Sequence, residues 1–281
     1  MRYVHAIPGT VVGLAIITAV DVTLPNGQPS GDVNIILTIS TFLFAILVGF
    51  FIARLAARYD GIRSNIAQED AQMLAVYRTA RLINKKLAAR MATQMDTYYI
   101  AAYDFSLSNA NAAYKATIDP FRALWDLADE IDQQKYSAAF QMLVQQLTMI
   151  EQSRNQASAL SQEKMRVGSW VLMLVLAAII LVSVFYVRTE ALYSHVVTIG
   201  LSTALVMILL ILRDLQNMML GGQSLLEESG QEVLEAIGKK RYYHEVYLNA
   251  GISHVPKTAK EYRVGSHAPG SPKHKIKLVK R

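Results

Sequence analysis

Long uncharged runs alternate with polar, helix-patterned stretches along this chain. Val33 to Ala53 reads VNIILTISTFLFAILVGFFIA, 21 residues without a charge. At ~1.5 Å rise per residue, such a run crosses a hydrocarbon core of ~30 Å as a helix. Val167 to Val187 and Ala191 to Leu212 are further uncharged runs of 21 and 22 residues. A shorter run, Ala6 to Val20, ends at Asp21 and extends to a span of about 6–24 with Asp21 at the surface. Thr18, Ala19 and Val20 make a poor small-x-small cleavage site, so this run reads as a retained span and not a signal peptide. Pro25-Asn26-Gly27-Gln28-Pro29-Ser30-Gly31 is turn chemistry, which makes the first two spans antiparallel neighbours.

Between the spans, residues 54–166 are polar but patterned. Ile66, Met73, Leu74, Tyr77, Ala80, Ile83 and Leu87 recur at helical spacing and predict a helix over 62–103, with a break at Gly61. Residues 105–118 read as a linker, and Asp119-Pro120 as an N-cap with proline at the first helical position. Phe140, Leu143, Val144, Leu147 and Ile150 predict a long solvated helix over 133–164. Each of these helices has one apolar stripe to bury, so they pair with one another. After the spans at 167–212, residues 213–250 form a C-terminal helical segment. Ser224 with Glu227, and Ser229 with Glu232, match capping boxes, and the helix stops at Gly238. Residues 251–281 hold eight Lys or Arg against one Glu and read as a disordered basic tail.

Composition supports a membrane protein with a water-facing part. The chain is 52% hydrophobic and 18% charged, with mean hydropathy +0.24. Net charge is +6. Three acids (Asp21, Asp32, Glu190) and Arg188 lie on one side of the spans, a net of −2; the other side carries 27 basic against 19 acidic residues, a net of +8. Positive-inside logic places both termini and the middle region in the cytoplasm. The basic balance is thereby accounted for without nucleic acid. There is no cysteine, which excludes disulfides, thiolate nucleophiles and cysteine metal sites.

No enzyme motif is present: no P-loop, no G-x-G-x-x-G after a strand, and no H-x-x-x-H pair among six histidines. His195 lies near the outer end of the last span and reads as an interfacial residue. Glu69-Asp70 and the Asp126, Asp129, Glu130, Asp132 group read as solvated helix faces. The long spans contain no Asp, Glu, Lys or Arg, which argues against ion-coupled transport, since transporters bury such groups to hold the coupling ion. Passive conduction, assembly and signalling remain. Phe42, Ile46 and Phe50 recur every fourth residue on one helix face, where they line a constriction or pack against other spans or lipid.

The second span, with Phe42, Phe44, Gly49, Phe50 and Phe51 followed by Arg54, resembles the pore helix of bestrophins. The order of features from Val33 to Tyr243 resembles the bestrophin-like family: Glu69-Asp70-Ala71 with Leu74, Tyr77 and Arg78, the long polar helices, the close pair of spans, then Arg213-Asp214-Leu215-Gln216-Asn217 and Gly221-Gly222. The resemblance implies an all-α membrane protein with four transmembrane helices and a cytoplasmic helical region. It also implies a homo-oligomer, a pentamer, acting as a passive anion (chloride-type) channel in a prokaryotic cytoplasmic membrane. Aligned on Gly49, a position of close helix packing, Phe42, Ile46 and Phe50 fall at the pore neck. Calcium is implied by the resemblance alone. Its acidic clasp is not evident, because the sequence here reads Gln216-Asn217-Met218-Met219-Leu220 and only later Glu227-Glu228, so no cofactor or metal is assigned. The alternative is a non-conducting scaffold or regulator that presents the stripe around Leu74 and Tyr77 to a partner.

Overall fold

The computed structural model describes residues 6–25, 31–106, 109–218, 223–271 and 274–281. Its contacts divide the chain into two units: residues 1–57 with 164–220, and residues 58–163 with 221–281. The second helix contributes its first part to one unit and its second part to the other.

The first unit holds the helices long and apolar enough to cross a membrane: α1 (Ala6–Thr23), the first part of α2 (Gly31–Ile83), α7 (Val167–Tyr186) and α8 (Leu192–Gln216). Phe44, Val48, Phe51 and Leu55 recur at intervals of four, three and four, so they share one face of α2. That face is buried against Met173, Leu176 and Ile180 of α7 and Leu205 and Leu212 of α8. Association of apolar helices in lipid gains little from the hydrophobic effect and relies on close packing through small residues. Gly9 and Gly13 supply this on α1. A Cβ at Gly9 would lie 2.9 Å from Leu210 Cδ1, and one at Gly13 3.2 Å from Val206 Cγ1, both on α8.

Polar groups fasten the ends of these helices. Arg188, buried between α7 and α8, donates to Asp21 Oδ1 at 2.5 Å, to the Asp21 carbonyl at 2.6 Å and to the Leu24 carbonyl at 2.7 Å. His195 Nδ1 lies 2.8 Å from Asp21 Oδ2. Asp21 is therefore buried and paired, not at the surface as its place at the end of a short run suggests, because an arginine from the α7–α8 hairpin reaches it. At the other end, Asp214 is buried and accepts the Ala6 N–H at 2.8 Å, a carboxylate at a helix N-terminus, where the dipole favours it.

In the second unit α2 runs unbroken through Gly61. A Cβ there would lie 3.0 Å from Leu160 Cδ1, so this glycine admits a neighbouring helix and does not end its own. Arg58 donates to the Leu160 and Ser161 carbonyls at 2.7 and 2.8 Å, satisfying the C-terminal carbonyls of α6 (Ser137–Gln162). The expected single helix over 62–103 is two: α2 ends at Ile83, and Asn84 caps α3 (Lys85–Tyr103) by accepting the Leu87 N–H at 2.7 Å. The expected linker contains α4 (Ala110–Ala116), and Thr117, not Asp119, precedes α5 (Ile118–Asp129). Met73, Val76, Met91, Leu124, Leu147 and Leu234 are among the buried residues of one shared core.

Helix α9 (Gln223–Ala236) stops where Gly238 takes φ +82°; Lys239 N–H donates to Leu234 O and Gly238 N–H to Glu235 O, the paired closure a helix end favours. Ser229 lies within α9, so it is no cap; the Ser224 side chain and Gly221-Gly222 lie outside the described residues. Beyond α9, β1 (Tyr242–His244), the short helix α10 (Glu245–Asn249), β2 (Glu261–Gly265) and β3 (Ile276–Lys280) follow. Strand β1 pairs with β2 in parallel and β2 with β3 antiparallel, with Gly265 opposite Ile276. Ordered strands thus stand where a disordered basic tail is expected. Tyr262 and Val264 alternate with Glu261 and Arg263, a period of two that the basic composition hides.

The α1–α8 contact gives a test. Val206 is β-branched and stiff, so at Gly13 it has little room to yield. Gly13→Leu should lower the stability of the detergent-solubilised protein by about 1–3 kcal/mol, while Gly200→Leu on α8, where an added Cβ would meet nothing within 4 Å, should leave it unchanged. Thermal unfolding of the two variants side by side checks this.

Candidate functional site

Helix α2 presents two opposite faces in the first unit. The face carrying Phe44, Val48, Phe51 and Leu55 is consumed by the chain itself. Phe42, Ile46 and Phe50 lie on another and are 66%, 53% and 60% exposed. They are aligned by the four-residue spacing, which sets them about 6 Å apart along the axis. Ile35, Ile39 and Leu43 are also exposed and extend this surface. Within the described chain, therefore, the aromatic stripe does not pack against the other spans. Gly49 lies beside it, and a Cβ there would meet nothing within 4 Å, so its small size serves no packing within this chain.

In the second unit, a cavity of about 150 Å³ is lined by residues including Glu69, Asp70, Tyr98, Tyr99, Tyr103 and Arg154. Asp70 follows the uncharged run of α2 by 17 residues, roughly 25 Å of helix, and is 4% exposed. It accepts from Tyr99 Oη at 2.7 Å and from Ser229 Oγ at 2.5 Å. Tyr98 donates to Glu69, and Tyr103 to the Glu227 carbonyl at 3.2 Å. Gly230 is fixed by this chamber: a Cβ there would fall 2.0 Å from Tyr103 Oη. Arg154 supplies the opposite charge. It is buried, donates to Thr117 Oγ1 at 3.0 Å, and its guanidinium carbon sits 4.4 Å from the Phe121 ring centre and 4.9 Å from that of Tyr98.

The electrostatics follow from burial. Burial pushes Asp70 up to about 7; the adjacent Glu69 charge adds to this, and the Ser229 and Tyr99 hydrogen bonds oppose it. Burial also raises Glu69, against the attraction of Arg154 and the Tyr98 hydrogen bond. The phenols of Tyr98, Tyr99 and Tyr103 stand well above their ordinary range, first through burial and then through these acids. They stay protonated and donate. The Glu69–Asp70 pair is thus no solvated face: both carboxyls line an internal cavity and are raised by burial. Asp126, Asp129, Glu130 and Asp132 are exposed, as expected of a solvated face.

Other expected positions resolve as follows. His195, expected as an interfacial residue, is a hydrogen-bond partner of Asp21. Leu74 and Tyr77 are half-buried, packed in part against the core of their own unit. Glu227 accepts from Ser253 and Glu228 pairs with Arg241, so both are already engaged. Met219 and Leu220, in the stretch where a calcium clasp is sought, lie outside the described residues. The Gly9–Gly13 contact escapes a reading by hydrophobicity, although its G-x-x-x-G spacing is legible.

This architecture is that of a bestrophin-type membrane protein. A bacterial bestrophin homologue from Klebsiella pneumoniae carrying a single substitution aligns with TM-score 0.61 and 10% identity, covering 84% of this chain and 100% of that one. Another variant of that homologue aligns with TM-score 0.60 and 11% identity, covering 82% and 99%. A structure described as a membrane protein aligns at 0.56 and 12%, covering 83% and 98%. Among curated proteins none matches. The bestrophin-like domain matches residues 5–217, most of the sequence, and the chain belongs to the bestrophin-like family.

The chamber predicts a pH dependence. Below about 4, the ordinary aspartate value, Asp70 is protonated in folded and unfolded chains alike. Between about 4 and 7 the unfolded chain releases the proton while the folded chain keeps it, so stability falls as pH rises, and above 7 the loss is complete. The contribution is on the order of a few kcal/mol. Asp70→Asn should shrink the difference in unfolding temperature between pH 5 and pH 8; an unchanged difference would assign the effect elsewhere.

Proposed function

We propose that the protein is a passive anion channel of the chloride type, built from several copies of the chain, five by analogy with bestrophins. One observation carries the reading: Phe42, Ile46 and Phe50 form an aligned apolar face that the chain's own helices leave uncovered. Copies arranged about an axis with this face inward form a hydrophobic neck, which closes by dewetting and needs no buried charge. The uncharged run around these residues fits such a neck and gives no site for a coupling ion. Gly49, open on its own chain, admits close approach of a helix from the next copy. Leu74 and Tyr77 spend part of their surface on the core of their own unit, which leaves less of that stripe for the scaffold reading. The charge asymmetry supports a cytoplasmic side for both termini and the polar middle region, the family analogy supports a prokaryotic cytoplasmic membrane, and a basic inner side would concentrate anions near the mouth.

Purified protein in a planar bilayer under a chloride gradient tests this. The wild type should pass chloride, and Phe42→Ala, Ile46→Ala and Phe50→Ala together should raise the open current by about tenfold, as a dewetted gap worth roughly 1.4 kcal/mol is relieved. Silence from both, or a monomer by native mass spectrometry, would sink the proposal.

A further inference from the structure

The C-terminal hairpin brings together a side-chain group that conduction does not use. Strands β2 and β3 pair with Gly265 opposite Ile276. Two residues further toward the turn, the same register sets His267 opposite His274, and Ser266 N–H holds it by donating to Lys275 O at 2.9 Å. Cross-strand partners point to the same face of a hairpin. The two imidazole centres are 4.7 Å apart.

The third member is Asp104, the residue that ends α3. It is 1% exposed. Its Oδ1 accepts from Tyr242 Oη at 2.7 Å, and its Oδ2 lies 2.8 Å from His267 Nε2. Asp104, His267 and His274 each offer a ligand atom, and these atoms all lie within 4.8 Å of one another.

An independent observation points to a ligand. The His267 side chain is 2% exposed, yet its Nδ1 is buried without a hydrogen-bond partner among the described residues. With Nε2–H given to a carboxylate, the lone pair of a neutral imidazole is on Nδ1, free to bind a cation. A carboxylate gripping the far nitrogen of a histidine is the arrangement that orients metal-binding imidazoles and raises their basicity. The surroundings are fixed on the buried side: a Cβ at Gly265 would fall 2.0 Å from Tyr242 Oη and 3.0 Å from His267 Cε1. On the other side His274 is exposed, which leaves room for water to complete the coordination.

We propose that His267 and His274 bind a divalent transition-metal ion of the zinc type, with Asp104 as the buried carboxylate that fixes the His267 ring and balances the ion's charge. Imidazole and carboxylate suit such an ion and disfavour calcium or magnesium, which take all-oxygen sets. The bound ion would bridge the two arms of the hairpin, and the Asp104–His267 hydrogen bond already joins that hairpin to the end of α3. The alternative is a hydrogen-bonded Tyr–Asp–His cluster with no ion.

Zinc chloride added to chelator-stripped, full-length protein in detergent distinguishes them, with bound metal measured after gel filtration and affinity by titration calorimetry. Wild type should retain about one zinc per chain and melt at a higher temperature with zinc than without. Because His274 is exposed, His274→Ala should fold normally, yet bind at least about tenfold more weakly and lose the thermal shift. His274→Cys, which restores a zinc ligand, should recover both. Absence of zinc from the wild type, or affinity unchanged in His274→Ala, would overturn the site.

Discussion

The burial of one α2 face against α7 and α8 is the constraint on which the first unit depends. A helix as apolar as this one has no preferred face in lipid, because bilayer and neighbouring side chains are equally apolar. Shape therefore decides. Phe44, Val48, Phe51 and Leu55 fit against Met173, Ile180 and Leu205, and this fixes the rotation of α2 about its axis. With rotation fixed, the direction of every other side chain on the helix is fixed too. Phe42, Ile46 and Phe50 face outward as a consequence.

Buried charge is distributed by the same logic. The long apolar runs carry none, and the buried carboxylates of the first unit sit near helix ends with partners: Asp21 with Arg188 and His195, and Asp214 with the Ala6 N–H. Removing one member would leave the other buried and uncompensated, the costly case for a buried pair. The second unit uses burial differently. There burial, and then the neighbouring Glu69 charge, raises Asp70 to about 7, against the hydrogen bonds that Tyr99 and Ser229 donate to it.

Much of the fold was legible because it rests on runs and periods. The uncharged segments, the Gly238 stop and the helical stripe over 140–150 all reappear in the structure. What was not legible depends on residues distant in sequence. Nothing near Asp70 reveals that Ser229 will meet it, and nothing near Asp21 reveals Arg188. Gly61 looked like a break because glycine is weak in helices, yet its value lies in what approaches it. The 261–280 strands were hidden for another reason: a strongly basic composition outweighed a short alternation. The His267–His274 pairing has no sequence motif at all, since the hairpin register alone creates it. As for the candidate pore face, the spacing of Phe42, Ile46 and Phe50 was visible, but their exposure required knowing which face α7 and α8 occupy.

Gly49 has a consequence for variation among relatives. A residue whose added side chain would touch nothing is invisible to the stability of its own chain, and the same holds for the outward rings beside it. Mutations there are neutral as long as folding is the only demand. Any restriction of the residues tolerated at these positions would therefore record selection imposed from outside the chain, by lipid, water or another copy. Sequence variation along this stripe is a historical record of what has been pressed against it.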